Sequence, residues 1–325
     1  MKAIVVEEYG GIEQLVAKEV PNPGPPDGYD VLVKVKACSV NPVDTKVRKG
    51  TYDDYPDYFS KVPTPFQIIG FDGAGTVEAV AGGFEVDWRK PESLDYVQAA
   101  ALPLTYITAY EALVERMEIR KGEKSGILII NGAGGVGSVA SQVARRVLEL
   151  PVVVTTASRD ETVQFTKTMG ATHVVNHRQP LAPQITDLHL EYPIKYIFIT
   201  SRTEQYFKDC GKILCAPFGK VCSIVQTEEM NKMYGTEFMA KSLSFIWELL
   251  GTKPYYGVDV NSHGNILKEL ASLVDTGTIK SHLQNRLPLT LEGAREGHSL
   301  VEAGSSIGKN GLGIEEGGVV GNAFS

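Results

Sequence analysis

The chain has no apolar run long enough to cross a bilayer, so no membrane-spanning helix is expected. Its first residues, Met1 to Val6, lack the apolar core and small-residue cleavage pattern of a secretory leader. It also has no basic block, and the formal net charge is -7, which excludes nucleic acid as a main partner. Cysteine is scarce: Cys38, Cys210, Cys215 and Cys222 show no C-x-x-C spacing. That composition argues against a cysteine metal centre and for buried, reduced thiols in a cytoplasmic protein.

What the chain does have is length and pattern. Its 325 residues predict about two domains and a sizeable core. The organising stretch is residues 126–158. Gly126 to Asn131 is a short apolar run with three isoleucines, the pattern of a strand buried on both faces. It enters a G-x-G-x-x-G turn carried by Gly132, Gly134, Gly135 and Gly137. From Val136 the apolar period becomes helical, through Val139, Ala140, Val143, Ala144, Val147 and Leu148. Residues 152–156 then resume as a strand. Strand, glycine turn and helix in that order supply the context a dinucleotide fingerprint requires. Gly132 permits the tight turn, Gly134 lets the backbone approach a pyrophosphate, and Gly137 lets helix pack on strand. The alternative is a tight turn that binds nothing.

The first hundred residues are dominated by strands: 1–6, 15–20, 31–37, 66–69 and 75–80. A helical turn is predicted from Asn41 to Arg48, with Asp44 and Arg48 as an i,i+4 ion pair. Helices are predicted over 94–101 and 105–117. Beyond the glycine turn, strands at 173–176, 196–200, 221–225 and 242–245 alternate with helices at 160–169, 181–188, 203–210 and 265–274. That alternation predicts a parallel sheet covered by helices on both faces.

The end of the second strand of such a sheet selects the cofactor. An acid there binds the ribose 2′-hydroxyl of NAD; its absence beside a cation suits NADP. This strand runs into Ser158 and Arg159, with no acid before Asp160. Arg159 can hold a 2′-phosphate through two hydrogen bonds, Ser158 supplies a hydroxyl, and His177 and Arg178 follow the third strand. NADPH is therefore the expected cofactor. The alternative is that Arg159 and Arg178 are solvated surface cations.

Several motifs together resemble the medium-chain dehydrogenase/reductase superfamily in its zinc-free quinone oxidoreductase branch. The nearest group is the reductases labelled "zinc-type alcohol dehydrogenase-like", relatives of zeta-crystallin. The likeness is carried by Val40 to Asp44, Gly70 to Val77, Ala99 to Thr105, Thr108 to Tyr110, Asn131 to Gly137, Lys241 to Phe245 and Ile307 to Lys309. It implies an α/β fold: a Rossmann doubly wound parallel sheet over residues 105–282, with a GroES-like β-barrel catalytic domain from 1–104 and 283–325. Zinc-dependent members carry Cys where this chain has Asn41, G-H-E at Gly70, Phe71 and Asp72, and a third ligand near Leu104. Asn, Phe and Leu do not make a catalytic zinc shell, so no metal is expected.

The resemblance further implies hydride transfer from NADPH to a quinone or α,β-unsaturated carbonyl. It places Asn41 beside the nicotinamide, Tyr52 in the pocket as a possible proton donor, and Thr105 on the cofactor side. Asn41 also sits where it could simply cap the following turn. The backbone of Val136 is implied to contact the diphosphate, and Ser223 to Val225 to flank the nicotinamide. A homodimer through the edge strand Ser242 to Phe245 is implied as well, unless Lys241 blunts that edge.

Two departures stand out. Residues 81–90 pass to the next helix without the family's intervening strands, which shortens the barrel and should leave Ile69, Phe71 and Leu102 partly uncovered. After Lys309 the chain is glycine-rich, poor strand material. These departures leave open an NADPH-binding protein with little or no catalysis, and an enoyl reductase of a biosynthetic pathway.

Overall fold

The computed structural model describes residues 1–28, 30–52, 65–81, 89–227 and 236–314. The chain begins with β1 (Lys2–Val6), β2 (Leu15–Glu19), β3 (Val31–Val40), α1 (Pro42–Arg48), β4 (Gln67–Ile68), β5 (Asp72–Val80), α2 (Tyr96–Ala100) and α3 (Pro103–Tyr110). Next come β6 (Gly126–Ile130), α4 (Gly135–Gln142), β7 (Val152–Thr156), α5 (Asp160–Thr168), β8 (His173–Val175), α6 (Leu181–Asp187), β9 (Ile194–Ile199), α7 (Thr203–Asp209) and β10 (Lys220–Ser223). The remainder is α8 (Thr236–Ala240), β11 (Ser244–Trp247), α9 (Thr252–Tyr256), α10 (Ser262–Asp275), β12 (Leu283–Pro288), α11 (Leu291–Glu302) and β13 (Lys309–Gly313). The chain divides into two compact units. One comprises Met1–Leu104, Leu267–Asp275 and Ser281–Ser325; the other comprises Thr105–Ile266 and Thr276–Lys280.

The second unit is built on six parallel strands in the order β11-β10-β9-β6-β7-β8. Every residue of β6 and β7 is buried, as expected of strands covered on both faces. Leu128, Ile130, Val154, Ile197 and Val221 belong to its core. Strand order reverses at β6, with β7 and β8 on one side and β9, β10 and β11 on the other. That reversal opens a crevice at the carboxyl ends of the strands. The helix expected over 105–117 is regular only through Tyr110; Glu111–Arg116 widens into a π-helical turn.

The first unit holds two sheets, β2-β1-β4 and β12-β13-β3-β5. Here the structure corrects three expectations. The glycine-rich segment after Lys309 is a strand, β13, paired with both β12 and β3. Its glycines are needed because α2 lies against it: a Cβ on Gly311 or Gly313 would stand 2.5 Å from a Val97 methyl. In the same way β5 starts at Asp72 and runs through Gly75, where a Cβ would fall 2.2 Å from the Lys34 carbonyl oxygen. Leu102 is fully buried, although Phe71 is 48% exposed. In the second unit, the edge strand expected at Ser242 begins instead at Ser244, because Ser242 has a left-handed backbone (φ 51°). Most of the shortened stretch, residues 82–88, and the aromatic loop beyond Tyr52 lie outside the described residues. Among the described residues no helix is long and apolar enough to cross a membrane.

The glycine turn is the tightest approach in the second unit. A Cβ on Gly137 would fall 2.2 Å from the Asn131 carbonyl oxygen, which is backbone and cannot swing away. Replacing Gly137 by Ala is expected to lower unfolding free energy in urea by about 1–3 kcal/mol, the usual cost of overpacking. An unchanged urea midpoint would show that the turn is not held this closely.

Candidate functional site

In the second unit, two bonds to Thr156 and one within the turn hold the glycine turn in place. The Asn131 amide donates to Thr156 Oγ1 (2.8 Å), and the Gly132 amide donates to the Thr156 carbonyl (3.2 Å). The Gly134 amide closes the turn onto the Asn131 carbonyl (3.1 Å). A Cβ on Gly132 would stand 2.5 Å from Thr155 Cβ, so the turn is pressed against β7. Beyond the Gly134 cap, the amides of Gly135, Val136 and Gly137 open α4 and have no carbonyl partner within the helix. Those amides and the positive end of α4 can receive an anion at the sheet's switch point. A cradle that any added Cβ would fill, edged by free amides, fits a dinucleotide diphosphate.

The adenosine-side candidates gather beyond β7 and β8. Ser158 follows the strand, and Arg159 caps α5, its amide donating to Thr162 Oγ1 (3.1 Å). The Arg159 guanidinium stands 3.2 Å from Glu161, an exposed carboxylate that the sequence reading passed over. His177 is largely exposed. Partial burial, then Arg178 and Arg202, lower its pKa below the ordinary imidazole value. Arg202 is a cation the sequence reading missed; its position three residues beyond β9, just before α7, was the available signal. Its left-handed backbone (φ 52°) sets it at the entry to α7.

At the other end of the sheet, β10 stops at Ser223, two residues short of the expected Val225. The Ser223 side chain is buried. Its hydroxyl lies 2.7 Å from Thr203 Oγ1 and accepts from the Val225 amide at 3.1 Å. The backbone here is engaged as well: the Ser223 carbonyl accepts from the Glu248 amide at 3.0 Å, and the Ile224 amide donates to the Ile199 carbonyl at 3.2 Å. Thr105, in the first turns of α3, is buried.

The first unit brings together residues from three separate motifs. Asn41 occupies the cap position of α1, but its amide turns inward, Nδ2 donating to Asp72 Oδ2 at 2.8 Å. Ser39 Oγ donates to the same oxygen at 2.7 Å, and the Leu104 amide donates to Asp72 Oδ1 at 2.9 Å. The Lys309 ammonium enters this group, donating to the Val40 carbonyl (2.9 Å), to Asn41 Oδ1 and to Asp72 Oδ2 (3.3 Å). Asn41, Asp72 and Lys309 are all under 7% exposed, so a complete ion pair lies inside the unit.

Asp44 corrects a further expectation. It does not pair with Arg48, whose buried guanidinium instead binds Glu302, the Gly10 carbonyl (3.2 Å) and His298 (3.5 Å). Asp44 Oδ2 accepts from the Asn41 amide at 2.7 Å, while Oδ1 is buried with no hydrogen-bond partner. Burial raises the Asp44 carboxyl to about 7, against the Asn41 hydrogen bond and the Lys309 charge. Tyr52 is half-buried, and burial raises its phenol.

These donors do not fit a catalytic zinc ion. Asn41 and Asp72 face each other across an ammonium, and Phe71 offers no ligand atom. Among the described residues no group of three or more His, Cys, Asp or Glu could hold a metal. The four cysteines are free thiols, three of them buried. Burial raises Cys38 to about 12 and Cys215 to about 11.

Comparison with known proteins agrees with both halves. Residues 27–90 match a family model described as "Alcohol dehydrogenase GroES-like domain", and residues 169–310 one described as "Zinc-binding dehydrogenase". A "Zinc-type alcohol dehydrogenase-like protein" of Staphylococcus epidermidis is 33% identical, covering 87% of this chain and 90% of the relative. The human "Quinone oxidoreductase" is 34% identical over 55% of this chain and 59% of its own length. A solved structure of a putative zinc-dependent alcohol dehydrogenase from Rhizobium etli is 34% identical with a TM-score of 0.88, covering 97% of this chain and 98% of that one. Escherichia coli quinone oxidoreductase, solved with NADPH, shares the fold at 22% identity and a TM-score of 0.77, with 96% of this chain and 100% of that one covered. A Rossmann sheet beside a GroES-like domain, the anion cradle and these relatives give one answer: the chain belongs to the medium-chain dehydrogenase/reductase superfamily, in its quinone oxidoreductase branch, whose members are nicotinamide-dependent oxidoreductases.

Proposed function

We propose that the chain is an NADPH-dependent reductase that passes hydride to a quinone or an α,β-unsaturated carbonyl without a metal. The observation that carries this reading is the Asn41–Asp72–Lys309 network, in which Asn41 stands where zinc-dependent members carry a cysteine ligand. Without a Lewis acid, alcohol oxidation loses its main assistance, whereas a conjugated acceptor needs only hydrogen bonds to its developing anion. Asn41 can give one. Its Oδ1 is taken by Lys309 and one Nδ2 hydrogen by Asp72, which leaves a single oriented N–H for a substrate oxygen. Tyr52 is the proposed proton donor, and Thr105 the residue on the cofactor side. The protein's share of the chemistry is orientation and polarisation; the hydride belongs to the cofactor.

The cofactor reading assigns the diphosphate to the amides of Gly135, Val136 and Gly137. It assigns the 2′-phosphate to Ser158, Arg159, His177 and Arg178, with Arg202 joining them. The backbone of Ser223 to Val225 takes the nicotinamide side. Residues 1–104 and 283–325 serve as the catalytic domain and 105–282 as the cofactor domain. A homodimer through β11 at the sheet edge, and a reducing, cytoplasmic setting for the free thiols, complete the proposal. A second reading, cofactor binding with little turnover, is favoured by the apolar residues left exposed on β3 and β5, among them Val35 and Val77.

Two measurements test this. In fluorescence titrations, the combined change R159A/R178A is expected to weaken NADPH binding about tenfold or more while leaving NADH nearly unchanged. Equal losses for both cofactors would refute the 2′-phosphate assignment. With a panel of quinones and enones, NADPH oxidation should persist in chelator. Asn41→Ala should lower kcat about a hundredfold without changing NADPH affinity. Activity lost on chelation and restored by zinc would sink the metal-free mechanism; tight NADPH binding with no turnover on any acceptor would select the second reading.

A further inference from the structure

We propose that Thr203 is a positioning residue for the nicotinamide half of the cofactor. With Ser223 it locks the backbone of Val225 into a closed ring of three hydrogen bonds just beyond β10. The proposal rests on the reading that the backbone of Ser223 to Val225 takes the nicotinamide side, and it names the side chains that give that backbone its shape.

The sheet alone does not hold this backbone. Ser223 ends β10 and is the last residue in register with both neighbours, Ile199 on β9 and Trp247 on β11. Beyond it the Ile224 amide still donates to the Ile199 carbonyl (3.2 Å). Val225 has no ladder partner, and among the described residues its amide and carbonyl bond only to two hydroxyls. The amide donates to Ser223 Oγ at 3.1 Å, and the carbonyl accepts from Thr203 Oγ1 at 2.5 Å. Thr203 reaches this place because Arg202 before it has a left-handed backbone (φ 52°), from which α7 starts with Thr203 turned inward. That conformation is unfavourable for an arginine and persists where the surrounding structure requires it.

Hydrogen counting fixes the third bond. A hydroxyl has one hydrogen to donate. Thr203 directs its own to the Val225 carbonyl, so across the 2.7 Å contact between the two hydroxyls Ser223 donates and Thr203 accepts. The other acceptors near Ser223 Oγ, the Ile199 and Val225 carbonyls, stand farther off at 3.4 Å and 3.5 Å. The hydrogens therefore run one way round: Val225 N–H to Ser223, Ser223 O–H to Thr203, and Thr203 O–H back to the Val225 carbonyl. Bonds aligned head to tail polarise and strengthen one another. Both side chains are fully buried, so bulk water does not compete for these hydrogens. With the diphosphate at α4 and the 2′-phosphate towards β7 and β8, the strand order leaves the carboxyl ends of β9 and β10 for the nicotinamide. Opening the ring at Thr203 releases the Val225 peptide there and alters nothing at the adenosine end.

The test compares NADPH with adenosine 2′,5′-bisphosphate, which keeps the adenosine end and lacks the nicotinamide, by calorimetry on the full chain. In T203V, which keeps the shape and removes the donor, the NADPH Kd should rise about tenfold while the bisphosphate Kd stays within about twofold. T203S restores the hydroxyl and should return NADPH binding to the wild-type value. S223A opens the ring at a different atom and should reproduce the T203V pattern. Amide hydrogen exchange on the wild type decides the matter even if the variants do not fold: the Val225 N–H should be protected in the free protein although it lies past the last strand. Four results would overturn the proposal and leave the cofactor reading standing: NADPH binding unchanged in T203V or S223A, equal losses for both ligands, no rescue by T203S, or a Val225 amide that exchanges like an unstructured peptide. A wild type that binds NADPH no more tightly than the bisphosphate removes the nicotinamide-side reading, and the proposal with it.

Discussion

A buried ammonium must find acceptors, and the first unit is arranged around one that does. Lys309 opens β13, Asn41 follows β3, and Asp72 opens β5, so three strands from distant parts of the chain meet at a single charge. Register makes this possible: Ser39 pairs with Asp72 across β3 and β5, and Asn310 pairs with Val40 across β13 and β3. A slip of one residue in either ladder would turn these side chains to the opposite face and leave an uncompensated ion inside. Removing one partner of such a pair commonly costs about 3–5 kcal/mol, more than most single contacts contribute. The network therefore specifies register as well as chemistry. It also fixes which way the Asn41 amide points, which packing alone would not decide.

The second unit solves a different problem, that of exposing backbone amides without leaving them orphaned by error. Its sheet is buried on both faces, so polar backbone is available only at the strand ends. There the turn after β6 is held against β7 by Thr156, which serves both Asn131 and Gly132. Gly132 and Gly137 are required because Thr155 and the Asn131 carbonyl leave no room for a Cβ. Gly134 differs: its nearest neighbour is the movable Asn131 side chain, so packing alone does not demand a glycine there.

How much of this was legible in the sequence follows from how local each signal is. Strand β6, the glycine turn and α4 are set by neighbours within a few residues, and the apolar period displays them directly. Strand β13 was misread because its glycines answer to Val97 in another element, a reason no local window contains. The start of β11 was displaced by the left-handed backbone of Ser242, for a residue type that gives no warning. Asn41 could be named from its motif, and Lys309 belonged to a recognised signature. Their meeting depends on the β3–β13 pairing, which spans most of the chain and leaves no trace in composition. The Asp44–Arg48 spacing suggested an ion pair, yet Arg48 found Glu302 on α11; spacing offers a partner, and burial chooses among the offers.

The two units also show two ways of keeping neighbouring acids in a dry interior. In the first, the Lys309 ammonium supplies the counter-charge to Asp72, and Asp44 is left with one bare oxygen and a raised carboxyl. In the second, Lys253 and His263 bind Glu111, while burial and the charge of Glu111 raise the Glu248 carboxyl to about 8. A fixed cation is indifferent to pH below its own titration, whereas a proton on a carboxyl is not. Because the folded-state carboxyl of Glu248 is raised above its unfolded value, the stability it contributes is present in acid and is lost as pH rises towards about 8. Asp44 follows the same sign, with its loss complete near pH 7. The buried His282 and His298, lowered to about 3 and about 4 by burial, act in the opposite sense and lose stability as pH falls.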